Sequence, residues 1–414
     1  MESILANCAW SSARARNCDL FGRRTGRIFG AAALAAILLA GLTSIVSAQQ
    51  YQADEVDEKI YNRLNGVVLS CVKDPAKYTS EQADFNEYFT KYYFPAMTRY
   101  DEEELGKLGA RRYDLFQRFL WATQNDQLQK DLTELAFDKM KSIAGNPKYH
   151  PAVRYNAVLV IGMLDAQYGS DSSSSKRPPK PLEKANRLLT QIVGLGIQGN
   201  PVVTPSLVVG ALVGLERHAQ YHESLKPAQI DAMTEAAITL ATKDPPLADV
   251  DGKVAEWIRI EAATVLAKLG SVGTNNRVHD ALVALLADNK ISLDGRCGVA
   301  GMLGQLNYKD VKVDGKAASE KLLQLALEVG QACDKQANAY QEMSLGGGAG
   351  GTMGRERGGR GTYSSSGEPH NDYDRKTLLS QLGDLRKGLV VAKPIAPADR
   401  AAAIDSVTSA MQTV

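Results

Sequence analysis

From Tyr51 onward, apolar residues recur at intervals of three and four, and no stretch alternates with period two. Residues 54–73 place Val56, Ile60, Leu64 and Val67 on one helical face, with Pro75 following as a stop. Residues 81–99 contain the aromatic run FNEYFTKYYFPAM, which predicts a wedge between N-terminal helices, broken or kinked at Pro95. Residues 101–124 open with acidic side chains and carry basic ones later, the order a helix dipole favours. Residues 125–145 repeat that design and end on Gly145, a natural C-cap.

The next segment, PAVRYNAVLVIGML (151–164), has proline where a helix can spare an N–H, then Arg154, then Ala157, Ile161 and Leu164 on one stripe. A Ser- and Pro-rich gap over 168–181 reads as a surface loop or hinge. Downstream, TPSLVVGALVGLERH (204–218) starts another small-residue apolar helix. In 256–271, Arg259 precedes Ala262, Ala263, Leu266 and Leu269. In 293–307, Arg296 precedes Val299, Ala300, Leu303 and Leu306. Amphipathic helices over 227–243 and 274–289 lie between these segments, so the pattern predicts helix pairs.

These segments resemble HEAT repeats, whose second helix carries proline or aspartate, then Val-Arg, then alanine, then a leucine-rich end. Residues 151–164 match best. The 204–218 segment has Val208 and Val209 where the arginine belongs. Arg259 and Arg296 are 37 residues apart, close to one repeat, whereas 105 residues separate Arg154 from Arg259. The resemblance implies an all-α fold, a right-handed α-solenoid of stacked antiparallel helix pairs of the HEAT/armadillo-like kind. Arg154, Arg259 and Arg296 are then structural repeat positions reaching an acidic group in the adjacent turn, with Asp251 and Asp294 as candidates. The alternative is that they are solvated helix-start arginines. The chain divides into 1–48, a helical N-terminal cap over 49–124, repeats over 125–343, a glycine-rich linker over 344–372 and C-terminal helices over 373–414. Nine of the sixteen residues from 346 to 361 are glycine, which opposes order in that linker.

The first fifty residues are of another kind. Arg14, Arg16, Arg23, Arg24 and Arg27 precede FGAAALAAILLAGLTSIVSA, which carries no charge. A positive flank before an apolar run directs export, and Val46-Ser47-Ala48 offers small residues for cleavage after Ala48. The alternative is an uncleaved anchor over residues 29–47, since about 18 apolar residues approach a membrane span. Both place the remainder outside the cytoplasm, in the periplasm or beyond, with membrane contact only through this segment if it is retained.

Cleavage removes those five arginines together with Glu2 and Asp19, so the formal charge changes from +1 to −2. Such balance excludes strong nonspecific attraction to nucleic acid. With 44% hydrophobic but only 7% aromatic residues, close helix packing is favoured over an aromatic-lined pocket. Cys71, Cys297 and Cys333 would remain, too few and too scattered for a disulfide framework.

Candidate chemistry is sparse. His218 and His222 are four apart, a spacing by which one helical face can hold a metal ion, with Glu216 or Glu223 as a further ligand. GLGIQG (194–199) fits a dinucleotide fingerprint in letters, but a helix precedes it and Asn200-Pro201 follows, so it reads as a helix end. RERGGRGTY (355–363) resembles an arginine-glycine box, yet three arginines beside Glu356 read better as linker. No P-loop, nucleophile elbow or C-x-x-C pair is present. The expectation is an exported, non-enzymatic scaffold that binds another protein, with neither cofactor nor nucleic acid. The alternative is a metal-dependent or cryptic envelope enzyme using His218 and His222.

Overall fold

Asp57 sets the first helix. Its carboxylate accepts hydrogen bonds from the backbone N–H groups of Lys59 and Ile60, so α1 runs Glu58–Lys73 rather than from residue 54. Asp74 donates its own N–H to the Ser70 carbonyl and caps α2 (Pro75–Glu87) with its side chain. Pro75 thus stops one helix and, needing no N–H partner there, starts the next. These elements belong to a computed structural model that describes residues 51–169, 177–248, 250–346 and 369–411. The export segment with Ala48, and 347–368 of the glycine-rich stretch, lie outside the described residues.

The aromatic run is packed by an unusual device. After α2 the backbone widens into a π-helical turn over Tyr88–Tyr93, followed by one short turn, Phe94–Ala96, that contains Pro95. The run YFTKYY has more aromatic rings than one α-helical stripe can bury. The wider turn brings Tyr88, Phe89, Tyr92 and Tyr93 all inside. A second π turn, Leu115–Leu120, extends α3 (Glu102–Asp114) and buries Leu115, Phe116, Phe119 and Leu120. The two meet through Phe119, whose ring lies 5.2 Å from Phe89 and 5.5 Å from Tyr93, edge to face.

Helices then follow in pairs. They are α4 (Asp126–Gly145) with α5 (Pro151–Met163), α6 (Glu183–Ile197) with α7 (Pro205–Gln220), and α8 (Pro227–Thr242) with α9 (Gly252–Lys268). Two more pairs join α10 (Arg277–Ala287) to α11 (Leu293–Leu303) and α12 (Gly315–Gly346) to α13 (Pro369–Ala392). α14 (Ala398–Ala410) packs on α12, and α3 packs on α5. Each second helix also contacts the next second helix, and α6, α8, α10 and α12 do likewise. The fold is therefore all-α, with helices packed largely against their sequence neighbours.

Small residues set the closeness of the second helices. Gly162 of α5 crosses Gly214 of α7 so tightly that a Cβ at Gly162 would stand 2.6 Å from the Gly214 Cα. Along α7, Leu207, Val208, Leu212 and Leu215 are buried, each contributing about 1.5–3 kcal/mol. The first helices are looser. Between α4 and α6 a cavity of about 360 Å³ opens, lined by Ala144, Leu188, Ile192, Leu195 and the stem of Arg154.

Local details depart from the sequence pattern. Gly145 is the last residue of α4, and Asn146, in an extended conformation, is its cap. A small antiparallel pair frames the Ser/Pro-rich gap, with β1 (Asp165–Gln167) just before it and β2 (Lys180–Pro181) at its end. The described chain starts by docking on the first pair: Gln52 donates its N–H to the Lys148 carbonyl, and Tyr149 donates its hydroxyl to Asp54. Among the described residues, no helix is long and apolar enough to cross a membrane.

Candidate interaction face

Arg154 and Arg259 hold equivalent places in α5 and α9, and both are buried. Arg154 donates Nε–H to the Ala144 carbonyl, at the end of its partner helix, at 2.9 Å. Its Nη2 reaches the Val202 carbonyl, before the next second helix, at 2.6 Å. Arg259 repeats the arrangement. Nε–H meets the Ala241 carbonyl at 2.9 Å and Nη2 meets the Asp288 carboxylate at 2.7 Å. Each guanidinium therefore ties the frayed carbonyl end of one pair to the following pair. Arg296 reaches Glu328 of α12 at 2.6 Å, while its Nε has no hydrogen-bond partner among the described residues.

The acidic partners differ from those expected. Asp251 accepts from the Lys253 N–H and caps α9, and Asp294 accepts from Gln381. Asp288 and Glu328 take their places because a side chain at the base of a second helix points towards the following pair. Burial works against the Asp288 carboxylate, but the Lys290 backbone N–H and Arg259 outweigh it and hold its carboxyl below the usual value.

Among the described residues no arginine of this kind joins the second and third pairs, and two other features stand at that place. Within the second pair Val208 packs against Gly196, where a Cβ would come within 2.4 Å of the valine methyl, and Leu247, from the turn after α8, lies alongside and brings in the third pair. Gly196 belongs to GLGIQG, whose last glycine, Gly199, sits at φ +73° beyond α6. Asn200 N–H returns to the Leu195 carbonyl and Gly199 N–H to that of Gly196, closing the helix end.

The other feature is a neutral polar trio. Asn186 of α6 lies between His218 of α7, at 3.3 Å from its Nδ1, and Gln229 of α8, whose amide donates to the Asn186 oxygen at 3.3 Å. His218 is fully buried. Desolvation, then the neighbouring Arg217 charge, push its pKa down to about 3, against a weaker upward pull from the Gly162 backbone. His222 does not share its face. The helix ends at Gln220, Tyr221 leaves helical geometry at φ −115° and ψ 30°, and His222 turns back to the Ala219 carbonyl at 2.9 Å. The two histidines of the alternative reading are thus split between a core joint and a turn. Among the described residues no group of three histidine, cysteine or acidic side chains is placed to hold a metal ion.

Beside His218, Arg217 grips the buried Asp165 carboxylate with two bonds, 2.8 and 2.6 Å long. Burial raises the Asp165 pKa and Arg217 opposes that rise. The pair fixes the start of the β1–β2 arm to α7. Nothing in the sequence motif announced it, because its members lie 52 residues apart.

Further residues of α5, α7 and α9 lie at or near the surface. Tyr155 lies across α7 at Gly210, where a Cβ would come within 3.1 Å of its ring. Val213 and Trp257 are exposed, and Glu216 and Glu261 accompany them. Burial first, and then Glu216, raise the Glu261 pKa, with the Trp257 indole pulling the other way. Cys71 and Cys297 are buried and Cys333 is half-buried, and among the described residues none of the three forms a disulfide. Comparison with known protein families, with curated proteins and with solved structures finds no match.

Proposed function

We propose that this chain is an exported, non-enzymatic scaffold of HEAT-like repeats whose second helices present a surface to another protein. The observation that carries the reading is the shared geometry of Arg154 and Arg259. Each bonds the carbonyl end of its partner helix and then the following pair. Such recurrence is what a row of stacked units needs, since no pair can bury both its faces alone. The tighter approach of the second helices at Gly162 and Gly214 favours a row curved towards them, as in a right-handed α-solenoid. A curved row offers an extended surface suited to a protein partner. The arginine-flanked apolar segment and Val46-Ser47-Ala48 support export.

The test is affinity capture of the full chain, tagged at its C-terminus, from an envelope extract, with N-terminal sequencing of the recovered protein. The expected result is a stoichiometric protein partner and a chain that begins at Gln49 or is retained intact in the membrane. Recovery of an uncleaved chain from the cytosol, without a partner, would overturn the reading.

A further inference from the structure

The cavity between α4 and α6 is apolar but carries an unbalanced charge. Leu188, Ile192, Leu195 and Leu207 form much of its wall, Arg154 and Lys141 also line it, and no acidic side chain does. The Arg154 guanidinium is held at that wall, because both carbonyls it bonds, those of Ala144 and Val202, belong to lining residues. Arg154 is only 4% exposed, and its Nη1 has no hydrogen-bond partner among the described residues. Arg259 and Arg296, at the bases of later second helices, each meet a carboxylate. Arg154 meets none among the described residues, and neither does Lys141, which is exposed at the rim.

A buried cation without a counter-ion is costly, and burial lowers the Arg154 pKa with no neighbouring charge to raise it. An entering anion relieves that cost, and an apolar tail attached to it fills the remaining space. The volume, about 360 Å³, is at the small end for small-molecule sites, which reach about 1,000 Å³, and so suits a short tail. We infer that this cavity binds a medium-chain fatty acid, with its carboxylate at Arg154 and its tail against Leu188, Ile192, Leu195 and Leu207. Lys141 stands at the mouth and attracts the same anion. The ligand's carboxylate does for Arg154 what Asp288 does for Arg259, but is supplied from outside the protein. This site goes beyond the scaffold reading and does not depend on it.

The probe is octanoate, titrated calorimetrically into the full-length protein, with octylamine and acetate as comparisons. Octanoate is expected to bind saturably. Octylamine, with the same tail and the opposite charge, is expected not to bind, and acetate, without the tail, to bind at least about a hundredfold more weakly. Arg154→Met, which keeps the apolar stem, is expected to weaken octanoate by at least about tenfold. Because Arg154 also ties two helix pairs together, a second variant avoids the core. Gln191 is exposed and lines the same cavity, so Gln191→Glu introduces a carboxylate that competes for the two cations. It is expected to weaken octanoate by about tenfold. Gln305→Glu, the same change at an exposed position beyond α11, is expected to leave binding unaltered. No saturable binding of octanoate, or equal binding of octylamine or acetate, would overturn the site. So would undiminished affinity in Gln191→Glu or in folded Arg154→Met, or equal weakening by Gln305→Glu. Each of these outcomes leaves the scaffold reading to its own test.

Discussion

The Arg259 guanidinium meets the Asp288 carboxylate at 2.7 Å, joining the third helix pair to the fourth. Arg259 is almost wholly buried, whereas Asp288 keeps about a quarter of its side chain in water. Removing the arginine therefore leaves a carboxylate that water can still reach, while removing the carboxylate leaves a buried cation. Arg259→Met, which keeps the apolar stem, is expected to cost about 2–3 kcal/mol, at the low end for a broken buried pair. Denaturant unfolding of Arg259→Met, Asp288→Asn and the double variant would give the coupling, expected at about 1–2 kcal/mol. Strict additivity would show that the bond contributes nothing to the joint.

The crossing of Gly162 and Gly214 makes a second expectation. Gly162→Ala puts a methyl group 2.6 Å from the Gly214 backbone, so α5 and α7 must separate. The expected loss is about 1–3 kcal/mol, the usual cost of overpacking. Gly298 of α11 is the contrasting site, since nothing lies within 4 Å of its Cβ position. Gly298→Ala is expected to gain about 0.4–1 kcal/mol by restricting the unfolded chain. Thermal melts of the two variants should move in opposite directions.

Acid should loosen the His218 joint. The folded protein holds His218 neutral down to about pH 3, whereas an unfolded histidine takes a proton near pH 6.5. A depressed folded pKa means that the stabilisation is complete above about pH 6.5 and is lost as pH falls towards 3. Within that window the slope from this group reaches at most about 1.4 kcal/mol per pH unit. His218→Gln removes the titration, so its urea midpoint should fall less between pH 6.5 and 5 than that of the wild type. Parallel curves would show that the ring is not held neutral.

Helix positions were largely legible, because three- and four-residue spacing needs only the local chain. The base arginines could be picked out for the same reason. Their partners could not: Val202, Asp288 and Glu328 lie 48, 29 and 32 residues further along, in turns or on a helix without a motif. The spacing of His218 and His222 did not show where they lie, because four-residue spacing means one face only while the helix continues, and here it ends between the two. The π turns were equally hidden. Periodicity reveals that YFTKYY is too aromatic for one stripe, but not that the backbone widens to bury it.

The unlike pieces at the two ends of the described row have one more consequence. A row of similar pairs has no inherent length, because each added unit exposes the surface that invites another. Here the aromatic π-turn block and α3 cover one end, and α14 lies on α12 at the other. Neither cover resembles a helix pair, so the two ends of the described row differ from its middle and from each other, which gives the row a polarity.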